Sequence, residues 1–332
     1  MMNRLLACSA LILALAATAL SNVRDVRFAT GKSALNIPFK IFNNHIYLHV
    51  RVNDAKPLWF LLDTGASNII NHRHAQALGL KLNKAGQTIG VGEGVADYYL
   101  VDNVSFNLPG ATVRNQKFAV ISLENVEECL TKLDVDSSGQ ITPRMQAREK
   151  GEQPIDGVLG FGFFKLFVVE IDYVTKTINL HDPDNYRYQG DGEKIPFEIR
   201  GAHIFARAKI TAGNHSALDG LFLIDSGSAT GVVLNSPFVV ENNLLPPADQ
   251  TVPFPICGIG GESQTQLGKI SAIQLGTMRV ENAVTMFSQA QNGELAKTDY
   301  NGQVGNATLR RFKVVFDYSR KVMILERVKE TN

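Results

Sequence analysis

"FLLDTGASNII" (Phe60–Ile70) runs three apolar residues straight into a carboxylic acid, Asp63. A strand entering a core gains nothing from an acid, because an unpaired buried carboxylate costs several kcal/mol. The stretch therefore predicts either an ordinary turn or a compensating partner. The sequence holds a candidate partner: "FLIDSGSA" (Phe222–Ala229) repeats the pattern and ends its apolar run at Asp225.

The two acids belong to a longer repeat. "GVLGFGFFKLFVVEIDYVTKTINL" (Gly157–Leu180) aligns without a gap on "GQVGNATLRRFKVVFDYSRKVMIL" (Gly302–Leu325), pairing Gly157 with Gly302, Gly160 with Gly305, Asp172-Tyr173 with Asp317-Tyr318 and Leu180 with Leu325. Upstream, "IPFKIFNNHIY" (Ile37–Tyr47) matches "IPFEIRGAHIF" (Ile195–Phe205), and each precedes its acid strand by about the same interval. The order of elements is thus the same in both halves. The repeat predicts a duplicated unit, one copy near 24–182 and one over 195–330, joined by the polar, glycine-containing linker 183–194.

Within each half, "IYLHVRV", "LWFLLD", "LFVVEIDY", "LFLIDS" and "FKVVFDY" are rich in branched and aromatic residues and bounded by Gly, Asn or Asp. Helical patterns are short, such as "HAQALGL" after Asp63 and "VEECLTKL" after Asn125. The expected fold is all-β, with two barrel-like lobes, a cleft between them and few short helices. A duplicated unit with two-fold symmetry brings Asp63 and Asp225 together at the joint. Two carboxyls at that separation share one proton and titrate apart, which places a general acid beside a general base.

With "DTGAS" at Asp63, "DSGSA" at Asp225 and the turns "GVLG" at Gly157 and "GQVG" at Gly302, the chain resembles the aspartic proteases of the pepsin-like and retropepsin-like group. The resemblance implies Asp63 and Asp225 as a catalytic dyad and no required cofactor. It also implies that Thr64 and Ser226 hydrogen-bond across to the opposite lobe, while Gly65 and Gly227 allow a tight turn beside the carboxylates. The implied substrate is a peptide or protein lying extended in the cleft, under a covering hairpin "TIGVGEGVADYYLVDNVSF" (Thr88–Phe106) whose Gly90, Gly92 and Gly94 make a mobile tip. "ICGIGGESQTQLGKISAIQL" (Ile256–Leu275) is the counterpart in the second half. Two departures stand out: Ala66 replaces a hydroxyl residue that Ser228 retains, and no flap tyrosine is assignable, since Tyr98 and Tyr99 lie beyond the glycine tip. A missing donor stabilises the ionised pair less, so the dyad is expected to work nearer neutral pH than a stomach enzyme.

An insertion, 123–154, has no counterpart in the second half. Inside it "DVDSSGQITPRM" (Asp134–Met145) resembles a calcium-binding loop, with Asp134, Asp136 and Ser138 at alternate ligand positions, Gly139 at the sharp turn, the Gln140 carbonyl and Thr142. Met145 stands where the bidentate glutamate belongs, so any Ca2+ affinity is expected to be weak. The plain alternative is a solvated polar loop.

The remaining signals bound the rest. A net charge of +1 over 332 residues gives no electrostatic reason to expect nucleic acid. "MMNR" followed by an uncharged apolar run ending at Ala17-Thr18-Ala19 reads as a signal peptide over 1–19, hence an exported chain, periplasmic or secreted, without a lasting membrane span. Loss of that segment removes Cys8 and leaves Cys129 and Cys257, whose pairing spacing alone does not decide. His72 and His74 sit two apart at a helix start, a poor metal geometry. The sequence is thus read as an exported, monomeric aspartic endopeptidase. The alternative is a catalytically silent peptide-binding or regulatory module on the same fold, calcium-responsive through 134–145.

Overall fold

The computed structural model describes residues 25–131, 133–143, 154–213 and 216–328; the signal-peptide segment 1–19 lies outside them. The described chain is mostly β-strand, with short helices at His72–Ala77, Glu124–Thr131, Phe161–Phe164, Ser236–Glu241 and Asn306–Leu309. Its strands form a nine-stranded, a thirteen-stranded and a two-stranded sheet. No helix among the described residues is long and apolar enough to cross a membrane.

Each acid strand is buried because neighbours flank it on both edges. Leu58–Leu62 pairs antiparallel with His45–Val52 and parallel with Gly157–Leu159, in the register Phe60 to Gly157 and Leu62 to Leu159. Leu218–Asp225 does the same between His203–Thr211 and Gly302–Gly305, in the register Phe222 to Gly302 and Ile224 to Val304. A third strand, Ile69–Asn71 in one case and Val232–Leu234 in the other, closes the far edge antiparallel. Strands held on both edges read as continuous apolar runs. Phe60, Leu62, Phe222 and Ile224 are accordingly almost fully buried.

The glycines of the two downstream turns have a steric cause. A Cβ at Gly160 would sit 2.1 Å from the Ala66 carbonyl oxygen, and one at Gly305 2.2 Å from that of Thr230. Any larger residue there would push the acid loops out of place.

The halves are not separate sheets. Val168–Asp172 pairs antiparallel with Phe312–Asp317, and Glu170 lies opposite Val315, two positions that the sequence repeat also equates. Through this pairing Ser33–Pro38, Val168–Asp172 and Thr177–His181 join the thirteen-stranded sheet with strands of the second half. One apolar cluster runs from Val50 and Phe106 through Phe164 and Phe316 to Phe222. The stretch read as linker is also shorter than expected: Glu193 and Lys194 already pair with Leu325 and Ile324, because the register of Glu193–Arg200 on Val322–Arg327 continues two residues upstream.

Candidate active site

Asp63 and Asp225 lie side by side, their carboxyl groups hydrogen-bonded to each other at the floor of a cavity of about 670 Å³. Each is accepted into its own turn: the Gly65 N–H donates to Asp63 Oδ1 at 2.7 Å, and the Gly227 N–H to Asp225 Oδ1 at 2.9 Å. Each glycine is also pressed against the opposite acid. A Cβ on Gly65 would lie 2.6 Å from Asp225 Oδ1, and one on Gly227 2.3 Å from the Asp63 carboxyl carbon.

Four bonds cross beneath the pair. Thr64 N–H donates to Ser226 Oγ at 3.0 Å and Ser226 N–H to Thr64 Oγ1 at 3.0 Å. Thr64 Oγ1 in turn donates to the Ile224 carbonyl at 2.7 Å, and Ser226 Oγ to the Leu62 carbonyl at 3.0 Å. Thr64 and Ser226 are fully buried, so no water competes for these groups.

Burial pushes both carboxyls up from the ordinary range. Asp225 rises further, because the charge of Asp63 and the bond between the acids add to its burial. Asp63 is held back by the Gly65 N–H, by the bond from Asp225 and by the nearby charge of His203. Of the two, Asp225 therefore favours the protonated form and Asp63 the ionised one. Ser228, the hydroxyl residue that survives in only one half, turns its Oγ to Thr230 Oγ1 at 3.4 Å.

The roof corrects one expectation. Gly90, Gly92 and Gly94 do occupy the turn between Asn83–Ile89 and Val95–Leu108, but that tip is docked rather than free. Gly92 N–H donates to the Ile259 carbonyl at 3.0 Å and Gly94 N–H to the Gly260 carbonyl at 2.9 Å, in the turn between Val252–Gly258 and Gly261–Leu275; Glu294 N–H donates to the Gly90 carbonyl. A Cβ at Gly92 would lie 2.3 Å from the Gly260 carbonyl carbon. The glycines serve close approach of two backbones, so the hairpins meet tip to tip above the acids.

The calcium-like segment is likewise not a coil wrapped around a point. Leu133–Val135 and Ile141–Pro143 pair as a hairpin, with Asp134 opposite Thr142. Asp136 Oδ1 receives Ser138 N–H at 2.7 Å, Ser138 Oγ at 2.6 Å and Gln140 N–H at 3.1 Å, and these donors hold its carboxyl below the usual range. Met145 lies outside the described residues. Val135 and Ile141 point the other way, toward the cavity.

Sequence reasoning passed over two cavity-lining histidines. His45 and His203 occupy the same position in the matched stretches at Ile37 and Ile195, so the repeat itself carried the signal. His45 is buried and its pKa is pushed down to about 4 by desolvation, against backbone hydrogen bonds at Phe42, Gly227 and Asn43. It sits there because the tight turn Asn43-Asn44, both residues at positive φ, plugs into the second half. Asn44 Nδ2 donates to the Ala229 carbonyl, Asn306 Nδ2 to the Asn44 carbonyl, and Arg310 to Asn44 Oδ1 at 2.6 Å. Cys129 and Cys257 pair as a disulfide across the halves, their Cα atoms 6.4 Å apart.

A family model described as aspartyl protease matches residues 48–163, which contain Asp63, the first covering hairpin and the Gly157 turn. None of the curated proteins compared matches the chain. The match supports a hydrolase of protease type that acts on peptides.

Proposed function

We propose that the protein is an exported aspartic endopeptidase that hydrolyses peptide bonds with the Asp63/Asp225 dyad and an activated water. The chain works as a monomer, with lobes at 24–182 and 195–330 related by a pseudo-two-fold axis through the Glu170–Val315 pairing. The observation that carries the reading is the pair of carboxyl groups sharing a hydrogen bond at the base of a peptide-sized cavity, braced by the crossed Thr64 and Ser226 bonds.

In this reading Asp63, ionised, takes a proton from a water held between the acids as the water oxygen attacks the scissile carbonyl carbon. Asp225 gives its proton to the carbonyl oxygen, so the tetrahedral intermediate is neutral and no covalent enzyme adduct forms. Collapse breaks the C–N bond while the proton on Asp63 passes to the departing nitrogen, and one proton returns to Asp225. The roof hairpins exclude bulk water during these transfers.

The test is peptide cleavage with and without a statine-type transition-state mimic, repeated with Asp63→Asn and Asp225→Asn. Each substitution should cost about 1,000-fold or more in kcat/KM while the mimic is still bound weakly. Cleavage that survives either substitution rules the dyad mechanism out. The tip-to-tip roof favours a second reading, a peptide-binding module without turnover; tight binding of the mimic with no cleavage of any peptide would select it.

A further inference from the structure

The insertion is more than a surface loop. It leaves the first half at Leu123, packs there through Leu130 against Leu61, Ile69 and Val158, and is pinned by the Arg73 guanidinium on Glu127 at 2.5 Å. It then crosses to the second half. The helix Glu124–Thr131 is tied by Cys129 to Cys257 on strand Val252–Gly258. The hairpin that follows buries Ile141 in a cluster with Val233, Phe254 and Met286, with Val135 packed on it.

At the tip of that hairpin there is no gap. Gly139 is at φ +84°, and a Cβ built on it would lie 2.8 Å from Ala307 Cβ, 3.1 Å from the Gly231 nitrogen and 3.2 Å from Thr230 Cα. Ordinary carbon contacts need about 3.5–4.0 Å, and a passing strand needs roughly 4.7–4.9 Å to a hydrogen-bonded neighbour. Nothing the width of a peptide backbone passes between the insertion and the second half at either anchor. Leu123, Val126, Leu130, Val135 and Ile141 nevertheless line the same cavity as Asp63 and Asp225. The insertion is therefore a wall of the cleft, fixed to both halves; the segment at its place in the repeat, 289–301, is shorter and meets the first half at the Gly90 and Gly92 carbonyls.

We propose that this strap closes one end of the substrate channel, so that the enzyme cleaves close to one terminus of a peptide and accepts extension on the other side only. Its substrates are short peptides or free chain ends with apolar residues on the walled side, because the wall presents Leu, Val and Ile side chains. The inference rests on the peptidase reading of the same site and specifies which substrates fit it.

The test uses the intact protein. A peptide that is cleaved is lengthened residue by residue on its N-terminal side in one series and on its C-terminal side in another, and products are identified by mass spectrometry. A parallel calorimetric series uses a statine-type mimic extended on either side, which reads binding without turnover. One series should lose roughly 100-fold or more in both kcat/KM and affinity after a few added residues, while the other stays within about threefold. Replacing 134–142 by two glycines should restore tolerance in the intolerant series, with folding checked by thermal scanning. Equal tolerance of long extensions on both sides, or internal cleavage of long unstructured chains, overturns the strap while leaving the peptidase intact. Failure of every mimic to bind removes both.

Discussion

Thr64→Val is the sharpest probe of how the site is held together. The substitution keeps the shape but deletes Oγ1, which accepts the Ser226 N–H and donates to the Ile224 carbonyl. Both orphaned groups lie in a fully buried neighbourhood, and each unsatisfied buried group costs about 1–3 kcal/mol. The expected destabilisation is therefore roughly 2–6 kcal/mol. For a chain of this size, each kcal/mol lowers Tm by about 2 °C, so the shift is roughly 4–12 °C. Thr64→Ser retains the hydroxyl and should stay within about 1 °C, which separates the hydrogen bonds from the lost methyl contact. Differential scanning at one pH and scan rate reads the difference, and peptide cleavage on the same samples should fall with it, since Thr64 fixes the turn that carries Asp63. A Thr64→Val protein melting within about 1 °C of the parent, or one as active as the parent, would refute the claim that the crossed bonds hold the acids together.

Three more outcomes are expected. The pH–rate profile should be bell-shaped, falling on the acid side as Asp63 takes up a proton and on the alkaline side as Asp225 loses one. An optimum below about pH 3 would refute the working range read from Ala66 and the raised carboxyls. His203→Ala removes the positive charge that lowers Asp63, so the acid limb should move to higher pH; an unmoved limb would sink that assignment. His45, folded near pKa about 4 against 6.5 unfolded, binds fewer protons in the folded state. Stability should therefore fall as pH drops from 6.5 to 4, by up to roughly 3 kcal/mol at about 1.4 kcal/mol per unit, and urea titrations of His45→Asn should lose most of that slope.

The acid strands, their partner glycines and the order of elements were legible because they depend on local pattern repeated at a fixed interval. Phe60–Leu62 and Phe222–Ile224 are continuous apolar runs, and runs of that kind belong to strands buried on both edges. What the sequence withheld is contact between distant residues. The Asn43-Asn44 turn reads as a plain hairpin turn, and only the fold reveals that Asn44 meets Ala229, Asn306 and Arg310. Gly90, Gly92 and Gly94 were read as freedom of the tip because glycine offers both mobility and close approach, and sequence does not say which is used. The placement of the insertion is hidden for a related reason: only the fold reveals that the alternating Val135 and Ile141 carry its hairpin onto the second half.

A duplicated chain poses a chemical problem that its symmetry does not solve. Two identical carboxyls sharing one proton would be interchangeable, and the attacking water would have no defined base. The asymmetry comes from differences between the halves that the repeat tolerates. The first-half turn at Asn43-Asn44 is buried against the loop after Asp225, carrying a desolvated His45 whose burial favours the neutral ring. The matching turn of the second half leaves His203 only partly buried, where its charge favours ionised Asp63. The charge of His203 acts on Asp63 in the direction that favours its ionised form, and the neutral His45 ring adds no opposing charge. The unduplicated insertion imposes a second asymmetry on the same cavity by walling one side of it. On the peptidase reading, the chemical polarity of the acid pair and the steric polarity of the proposed channel both arise from departures of one half from the other, and a substrate entering that channel would meet base and acid in a fixed order.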